Sequence, residues 1–411
     1  MRRLLTCATV GACMAACVST PVSVKTSALA SPSVAASSGP TILPAGAPVS
    51  LSTIQRLDSN VGYIASWTGA GPVLARTMNG GVTWQTLNVP AARLTSLRFI
   101  DANVGWAGGF IPRDVPQVAC EQAPPTASSP CYGAVLRTQD GGSTWQKSLL
   151  IPDDGVHEDP VIQIQAIDAF SAWALVLNCN PYSASCPAQL ERTTDGGARW
   201  TVVAGGNLMV MRFASANRGW LAAANPDGST DIRVTSDGGS TWTTHLRTTS
   251  GSVVGLDAAD TSRAWVMTQD GGYCSATTCT AYELYRTTDG GNSWSSLGNP
   301  KTTAAGNCWG GHFVGPLFAT EERGWLAENT GAGGVKATTG LLTTADGGVT
   351  WRCLSQPSNT YLVSAADPMH LWVTSNRPGD DATTLFSSDD GGTRWKQLSL
   401  AGLGGAAPVH Q

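Results

Sequence analysis

The chain has 411 residues, of which 13% are charged, and it contains 47 glycines and 15 tryptophans. Its formal net charge is -4, so it lacks the positive field that attracts polyanions, which argues against nucleic acid as a partner. Abundant glycine and tryptophan with few charges indicate many short strands joined by tight turns.

Residues 1–17 have the features of an export signal. Arg2 and Arg3 precede a short apolar run over residues 4–16, which is too short for a permanent membrane anchor. The run ends in MAAC, which resembles the bacterial lipobox and makes Cys17 the expected lipid attachment site. The alternative is free secretion, with cleavage after the Ala-Leu-Ala triplet at 28–30. Both alternatives predict an extracytoplasmic protein, and the first predicts membrane contact through the lipid alone.

The segment 18–50 consists mainly of small and polar residues, with one Lys and no acid. Such a segment cannot bury enough apolar surface to fold alone. We therefore expect a flexible tether between the export signal and the folded part of the chain.

Two short motifs alternate through the rest of the chain. The first motif occurs seven times, as TMNGGVTW (77–84), TQDGGSTW (138–145), TTDGGARW (193–200), TSDGGSTW (235–242), TTDGGNSW (287–294), TADGGVTW (344–351) and SDDGGTRW (388–395). The second occurs as LDSNVGY (57–63), IDANVGW (100–106), IDAFSAW (167–173), FASANRGW (213–220), DAADTSRAW (257–265), FATEERGW (318–325) and ADPMHLW (366–372). Together they hold all tryptophans except Trp67 and Trp309.

The first motif has the chemistry of a tight hairpin turn. A carboxylate or amide oxygen accepts hydrogen bonds from nearby backbone N–H groups, and the Gly pair supplies positive φ angles. The Trp then begins the next strand and buries its ring between neighbouring sheets. Because no reaction needs seven copies of one site, we interpret the polar residue as structural in every copy. These residues are Asn79, Asp140, Asp195, Asp237, Asp289, Asp346 and Asp390.

The first motif resembles the Asp box, or bacterial neuraminidase repeat. The alternation of the two motifs over about residues 51–400 is similar to the repeat of the photosystem II stability/assembly factor family. The first copy departs from that pattern, with Asn79 in place of Asp and Tyr63 in place of Trp. The resemblance implies a propeller with a scaffold role, whereas the partner cannot be inherited from the repeat.

The stretch 94–150 shows the strands of one repeat. LTSLRFI (94–100), VGWAGG (104–109), AVLRT (134–138) and TWQKSLL (144–150) read as four antiparallel strands. The intervals between first-motif tryptophans are 61, 55, 42, 52, 57 and 44 residues, which indicates radial repetition. We predict an all-β fold, a seven-bladed β-propeller of four-stranded antiparallel blades. The expected blades are about 51–90, 91–150, 151–206, 207–248, 249–299, 300–357 and 358–400, followed by a tail at 401–411.

The two ends of such a propeller differ in the length of their connections. The turn between the first and second strands of a blade shares one face with the first motif, which we call the Asp-box face. All other connections lie on the opposite face, which we call the loop face. The insertions fall almost entirely there, so a localised function is expected on the loop face. They are residues 109–133, 151–160, 178–189, 268–283 and 298–316.

Cysteine positions support stapled loops in an oxidising compartment. Cys7, Cys13 and Cys17 belong to the export segment, which leaves eight. Three pairs each lie inside one insertion, and the fourth pair follows by elimination. The expected pairs are Cys120 with Cys131, Cys179 with Cys186, Cys274 with Cys279, and Cys308 with Cys353. The alternative is metal binding, but no pair has a second Cys/His pair at zinc spacing, so we expect no metal.

Two groups of loop-face residues are candidates for binding or catalysis. The acidic group could supply the acid and base of glycoside hydrolysis, bind Ca²⁺ weakly, or form a solvated surface. It consists of Asp153, Asp154, His157, Glu158 and Asp159. The aromatic group could form a platform for a sugar or a protein, or pack against the blade ends. It consists of Tyr132, Tyr182, Tyr273, Trp309 and Phe313.

A sialidase would carry more than Asp boxes. That family also has an Arg triad, an early Arg-Ile-Pro motif and a Tyr/Glu pair, whereas here FIPR (110–113) scrambles the motif, and Tyr282 beside Glu283 falls in an insertion. We therefore predict a non-catalytic, monomeric, exported scaffold of the cell envelope, without a cofactor, that recognises a protein partner through the loop face. The alternative is an exported glycoside hydrolase or a carbohydrate-binding propeller.

Overall fold

The computed structural model describes residues 26–27, 50–68, 71–91, 93–112, 131–150, 160–178, 187–248, 252–269, 282–300, 304–305, 312–329, 340–354, 357–376 and 383–400. These residues form seven antiparallel sheets, and the four main strands of each sheet follow one another in the chain. The predicted all-β, seven-bladed β-propeller is confirmed. Within the described ranges, no helix is long and apolar enough to cross a membrane.

The strands are numbered in chain order, from the innermost to the outermost within each blade. A two-residue strand, β1 (Thr26–Ser27), precedes the propeller. Blade 1 contains β2 (Ser50–Arg56), β3 (Gly62–Thr68), β4 (Gly71–Thr77) and β5 (Gln85–Leu87), and blade 2 contains β6 (Arg93–Phe99), β7 (Gly105–Pro112), β8 (Cys131–Thr138) and β9 (Gln146–Leu150). Blade 3 contains β10 (Val161–Ala166), β11 (Ala172–Leu177), β12 (Ala188–Thr193) and β13 (Trp200–Gly206), and blade 4 contains β14 (Leu208–Phe213), β15 (Gly219–Ala224), β16 (Thr230–Thr235) and β17 (Thr243–Thr248).

Blades 5 to 7 repeat this order. Blade 5 contains β18 (Ser252–Ala258), β19 (Ala264–Gln269), β20 (Tyr282–Thr287) and β21 (Ser295–Gly298). Blade 6 contains β23 (His312–Phe318), β24 (Gly324–Asn329), β25 (Leu341–Thr344) and β26 (Trp351–Leu354), and β22 (Ala304–Ala305) pairs with β26. Blade 7 contains β27 (Thr360–Ala365), β28 (Leu371–Asn376), β29 (Thr383–Ser388) and β30 (Lys396–Leu398).

Part of the segment expected to be a tether contacts the propeller. In the antiparallel pairing of β1 with β13, Thr26 lies opposite Thr201 and Ser27 lies opposite Trp200. The outer edge of blade 3 is therefore extended by two residues that lie far before it in the chain.

The second strand of each blade is buried on both of its faces. In β11 and β15, five of the six residues are buried. A sheet that faces water on one side would alternate buried and exposed residues, but each blade packs between two neighbours. The aromatic residue of the second motif lies in this strand, and Tyr63, Trp106 and Trp173 are completely buried.

The Asp box closes the hairpin between the third and outer strands through its own side chains. In blade 4, Asp237 accepts hydrogen bonds from the Thr235 hydroxyl at 2.8 Å and from the Thr241 N–H and hydroxyl at 2.9 and 2.6 Å. These bonds hold the pKa of Asp237 at about 2. Gly238 and Gly239 have φ angles of 73° and 102°, where a side chain would be strained.

The first copy of the Asp box keeps this geometry with an amide. Asn79 accepts from the Thr83 N–H at 2.9 Å, and its side-chain N–H donates to the Thr83 hydroxyl at 2.8 Å. The hairpin is also tied to the first turn of its own blade, because the Gly80 N–H donates to the Asn60 carbonyl at 2.8 Å. The two kinds of turn therefore share one face, as the strand order predicts.

Aromatic rings join neighbouring blades in two ways. Between blades 1 and 2, Tyr63 stacks on Phe99 with ring centroids 3.5 Å apart, and blades 3 and 4 repeat the stack with Trp173 and Phe213 at 3.8 Å. Blades 5 and 6 have the third stack, of Trp265 on Phe318, whereas Trp lies edge-to-face against Trp between blades 2 and 3 and tilted against Trp between blades 7 and 1.

An arginine accompanies each of the seven junctions on the Asp-box face. Each guanidinium donates to a backbone carbonyl in an Asp-box hairpin or in the neighbouring first turn of the next blade, except that Arg56 of blade 1 reaches back to blade 7. The donors and acceptors are Arg76 to Gly141 at 3.4 Å, Arg137 to Ala169 at 2.9 Å, Arg192 to Asp237 at 3.0 Å, Arg218 to Gly290 at 3.3 Å, Arg286 to Gly347 at 3.4 Å, Arg323 to Gly391 at 2.7 Å and Arg56 to Ser388 at 3.0 Å.

Arg56 closes the ring between the last blade and the first. It is 3% exposed, and it donates to the carbonyls of Leu371 and Ser388 at 3.0 Å each and to the carboxylate of Asp389 at 2.5 Å. No strand described in either blade is contributed by the other. Among the described residues, side-chain bonds and packing therefore join the last blade to the first.

Replacing Arg56 with Ala should lower the free energy of unfolding by about 2–4 kcal/mol, because several buried carbonyls lose their donor at once. Equilibrium unfolding in urea measures this change. The matched control is Arg199→Ala, since Arg199 is exposed on the Asp box of blade 3. Equal effects of the two substitutions would contradict a closing role for Arg56.

Candidate functional site

Two of the predicted loop-face residues lie in the described part of the chain. Tyr132 is half-buried in β8, and Phe313 is in β23. The others lie outside the described residues, so their roles stay predictions. These are Asp153, Asp154, His157, Glu158, Asp159, Tyr182, Tyr273 and Trp309.

Phe313 is part of the core rather than of an exposed platform. Its side chain is 3% exposed, and its ring lies 4.9 Å from that of Tyr282, tilted by 53°. The Phe313 N–H donates to the Tyr282 hydroxyl at 3.2 Å. These contacts join blades 5 and 6 beneath the loop face and remove Phe313 from any surface that a ligand could reach.

Two predicted insertions are shorter than the sequence suggested. The insertion 268–283 includes the end of β19 and the start of β20, and the insertion 298–316 includes most of β23. Gly315 and Pro316 gave the second of these the look of a turn, but β23 accommodates them in a bulge between Val314 and Leu317. Tyr282 and Glu283 are therefore strand residues.

One cysteine of the expected disulfides is described with its side chain. Cys353 in β26 is disulfide-bonded. Its partner lies outside the described residues, and the pairing with Cys308 stays a prediction. β22 runs parallel to β26, with Ala305 opposite Arg352. Ala305 therefore lies beside the strand that contains Cys353, and Cys308 follows Ala305 by three residues in the sequence.

In six of the seven blades the innermost strand carries a polar side chain next to its last residue, and blade 6 has Leu317 there. In blades 1 and 3 this residue is Gln, and each Gln bridges to the next blade. Gln55 donates to the Phe99 carbonyl and accepts from the Phe99 N–H, both at 2.7 Å. Gln165 makes the same pair of bonds to Phe213, at 2.7 and 2.8 Å. A neutral amide thus satisfies both backbone groups of the neighbouring strand.

Blade 5 departs from this pattern with a carboxylate. Asp257 is 3% exposed and accepts from the Phe318 N–H at 2.6 Å, but it has no N–H to offer the Phe318 carbonyl. Its other oxygen lies 2.8 Å from Nε of Arg212, at the same position of blade 4. Burial raises the pKa of Asp257, and Arg212 and the Phe318 N–H oppose that rise.

A second arginine occupies the same position of blade 2. Arg98 is half-buried, and within the described residues its guanidinium makes no hydrogen bond or ion pair. Burial, followed by repulsion from Arg212, lowers the pKa of Arg98 to about 10, and Asp257 partly offsets the shift. Blade 3 lies between the blades of Arg98 and Arg212, and both arginines occupy the same position of their inner strands.

These channel residues were missed in the sequence, although a signal was present. Each lies directly before the last residue of an inner strand, and Asp257 is also the first residue of a second-motif copy. An aligned set that reads Gln, Arg, Gln, Arg, Asp contains charges at positions expected to be buried, which is unusual unless they are paired or functional. The residues are Gln55, Arg98, Gln165, Arg212 and Asp257.

Another buried acid lies away from the channel. Glu191 in β12 is 4% exposed, and one of its carboxylate oxygens has no hydrogen-bond partner among the described residues. Its neighbour Arg192 points to blade 4, so Glu191 points to blade 2, since adjacent side chains of a strand alternate. Burial raises the pKa of Glu191 to about 7.

These carboxylates do not form a hydrolytic pair. Glycoside hydrolysis needs two carboxyl groups flanking one cleft, whereas Asp257 faces the channel and Glu191 faces the junction of blades 2 and 3. Among the described residues, no group of three or more His, Cys, Asp or Glu side chains could hold a metal ion. What the described part of the channel can do chemically is bind charge.

No protein-family model and no curated protein matches the sequence. Solved structures do match. A structure of YCF48 bound to a D1 peptide is 21% identical over 81% of this chain and 92% of that chain, with a TM-score of 0.50. The chain has the propeller fold of YCF48. The resemblance to the photosystem II stability/assembly factor family is thereby confirmed at the level of the fold.

Two further propellers show how widely this fold is used. A puromycin-hydrolyzing peptidase from Mycobacterium tuberculosis is 14% identical over 90% of this chain and 58% of that chain, with a TM-score of 0.54. The β-propeller domain of the Trilobed protease from Pyrococcus furiosus is 11% identical over 86% of this chain and 98% of that chain, with a TM-score of 0.50. At such identities the likeness extends to the fold alone.

Replacing Glu191 with Gln should stabilise the protein at pH 8. The folded pKa of about 7 exceeds the ordinary value of 4.5, so folding takes up a proton between these values and stability falls as the pH rises through them. Gln removes this fall, and we expect a gain of about 1–3 kcal/mol at pH 8 and a smaller gain at pH 5. Urea unfolding at both pH values measures it. Glu322→Gln is the control, because Glu322 is exposed. A gain in the free energy of unfolding that does not depend on pH would contradict a raised pKa of Glu191.

Proposed function

We propose that this protein is an exported, non-catalytic propeller of the bacterial cell envelope that binds a protein partner through its loop face. In this proposal a lipid on Cys17 holds a monomer to the membrane. The repeated hairpins build the ring, and the insertions carry recognition.

The observation that carries the proposal is a difference between the two faces: the repeated motifs lie on one, and the long connections start and end on the other. On the Asp-box face, the motif side chains are already engaged in bonds within their own hairpin, as for Asp237 and Thr235. The neighbouring arginines are engaged with the next blade. The long connections, such as 113–130 and 270–281, join strand ends on the opposite side. Recognition by variable loops on a rigid scaffold fits this arrangement.

A protein as the class of partner is supported by one structural comparison. YCF48, which has the same fold, is seen with a D1 peptide. A propeller of this type therefore can present a surface that holds a segment of another protein. The identity of that segment does not carry over at 21% identity.

Stapled loops are consistent with a preorganised recognition surface. The disulfide of Cys353 lies at the outer strand of blade 6, where β22 brings an incoming connection alongside. A disulfide reduces the number of conformations available to a long loop, so less entropy is lost when a partner binds. Local pairs at Cys120 with Cys131, Cys179 with Cys186, and Cys274 with Cys279 would act in the same way.

Replacing residues 113–130 with a short Gly/Ser linker should abolish capture of the native partner. The readout is a pull-down from native envelope extracts with tagged protein, compared by mass spectrometry with the wild type. The matched control is Phe170→Ser on the Asp-box face, whose side chain is 63% exposed. If the control lost the partner and the loop variant retained it, recognition would lie on the Asp-box face, which would contradict the proposal.

The competing function, glycoside hydrolysis, is tested on the acidic group of the loop face. We expect the wild type and the variants Asp154→Ala and Glu158→Ala to be equally inactive on a panel of glycosides. A glycosidase activity that either substitution removes would overturn the scaffold proposal. Circular dichroism of each variant confirms that the propeller is intact.

A further inference from the structure

We propose that Arg98 and Arg212 form an anion site in the central channel that binds one carboxylate group, with Asp257 positioning Arg212. This site goes beyond the function proposed for the loop face. It lies at the opposite end of the channel, just before the turns of the Asp-box face, and none of its residues belongs to an insertion.

The first step of the argument is the break in the Gln pattern. Gln55 and Gln165 show that a neutral amide is sufficient to bridge two inner strands at this position. Asp257 makes one of the two bridging bonds and directs its second oxygen to Arg212. A charged residue thus occupies a position where a neutral amide can form both bridging hydrogen bonds. Such a departure from the local rule is typical of a functional position.

The second step is the charge balance. Two guanidinium groups and one carboxylate leave one positive charge, and Asp257 is in contact with Arg212 at 2.8 Å. Arg98 is left without a hydrogen bond or an ion pair to the described residues. A half-buried guanidinium without an acceptor is costly, and a carboxylate offers two acceptors that match its planar donors.

The third step selects the ligand. A single carboxylate neutralises the remaining positive charge. A polyphosphate would add further negative charges beside Asp257, which opposes its binding. A metal cation would be repelled by both arginines. The site therefore favours a monovalent carboxylate, carried either by a small molecule or by the end of a peptide.

Solvent reaches part of the site, because the side chain of Arg212 is 27% exposed. The turns that follow the inner strands are short, for example residues 57–61 after β2 and 100–104 after β6. In this proposal a carboxylate enters between these turns, because Arg98 and Arg212 precede them directly in the inner strands.

The test uses the full exported chain, with the melting temperature followed at pH 7.5 in sodium acetate or in sodium chloride of equal ionic strength. Acetate should raise the melting temperature of the wild type by about 2–4 °C relative to chloride, because a ligand of the folded state stabilises it. Arg98→Gln should weaken acetate binding at least about tenfold, since its bidentate donors are lost. The control Arg199→Gln should retain the wild-type shift.

Asp257→Asn separates a binding role from a merely structural one. This substitution removes the competing carboxylate and frees Arg212, so acetate should bind more tightly than to the wild type. Arg98→Lys keeps the charge but not the planar fork, and an intermediate affinity is expected. If Arg98→Gln fails to fold, the acetate affinities of these two variants still test the proposed site.

The two sources of the carboxylate are distinguished with peptides. A tripeptide of Gly and Ala with a free C-terminal carboxylate is compared with its C-terminal amide. Binding of the acid but not of the amide assigns the site to peptide ends, and binding of acetate alone assigns it to small carboxylates. The proposal is overturned if acetate acts no differently from chloride on the wild type, or if Arg98→Lys and Asp257→Asn both bind acetate as the wild type does. Because no loop-face residue is changed, these outcomes are independent of partner capture.

Discussion

The contact between an arginine of one blade and a backbone carbonyl in the Asp-box or first-turn region of its neighbour is the interaction on which the ring depends. It occurs at all seven described junctions, and four of the guanidinium groups also lie over a tryptophan ring, at 5.1 to 5.8 Å. At six junctions the accepting carbonyl belongs to an Asp-box segment, and between blades 2 and 3 it is the Ala169 carbonyl of a first turn. Where it supplies the acceptor, the Asp box has two roles, because it closes its own hairpin and accepts a hydrogen bond from the adjacent blade.

The chain places this arginine in more than one way. Before an Asp box it is Arg76, Arg137, Arg192 and Arg286. Blades 4 and 6 have Val234 and Thr343 there instead, and the first turn of the same blade supplies Arg218 and Arg323. Blade 7 has neither, and Arg56 of blade 1 reaches back to it. The arginine thus comes from the position before the Asp box in blades 1, 2, 3 and 5 and from the first turn in blades 4 and 6, whereas the junction that closes the ring takes it from the inner strand β2.

The sequence was sufficient to predict the blades because their signals are local. A hairpin turn needs its glycines, Thr and Asp within eight residues, and each Trp follows at a fixed distance. The arginine ring and the channel residues Arg98, Arg212 and Asp257 depend on contacts between residues of different blades, which no local pattern shows. Phe313 was misplaced for a different reason, because Gly315 and Pro316 have the local signal of a turn although they lie in a bulge of a strand.

The distribution of hydrogen bonds separates residues that build the ring from residues available for other tasks. Asp237 has its carboxylate oxygens engaged by neighbours in its own hairpin, and Gln55 and Gln165 have their amides engaged by the next blade. In the channel, by contrast, Arg98 retains its donors and Asp257 meets a charge rather than completing a bridge. Departures from a pattern that Gln55 and Gln165 satisfy fully are therefore informative. Binding at the exceptions can therefore change in evolution without loss of the fold.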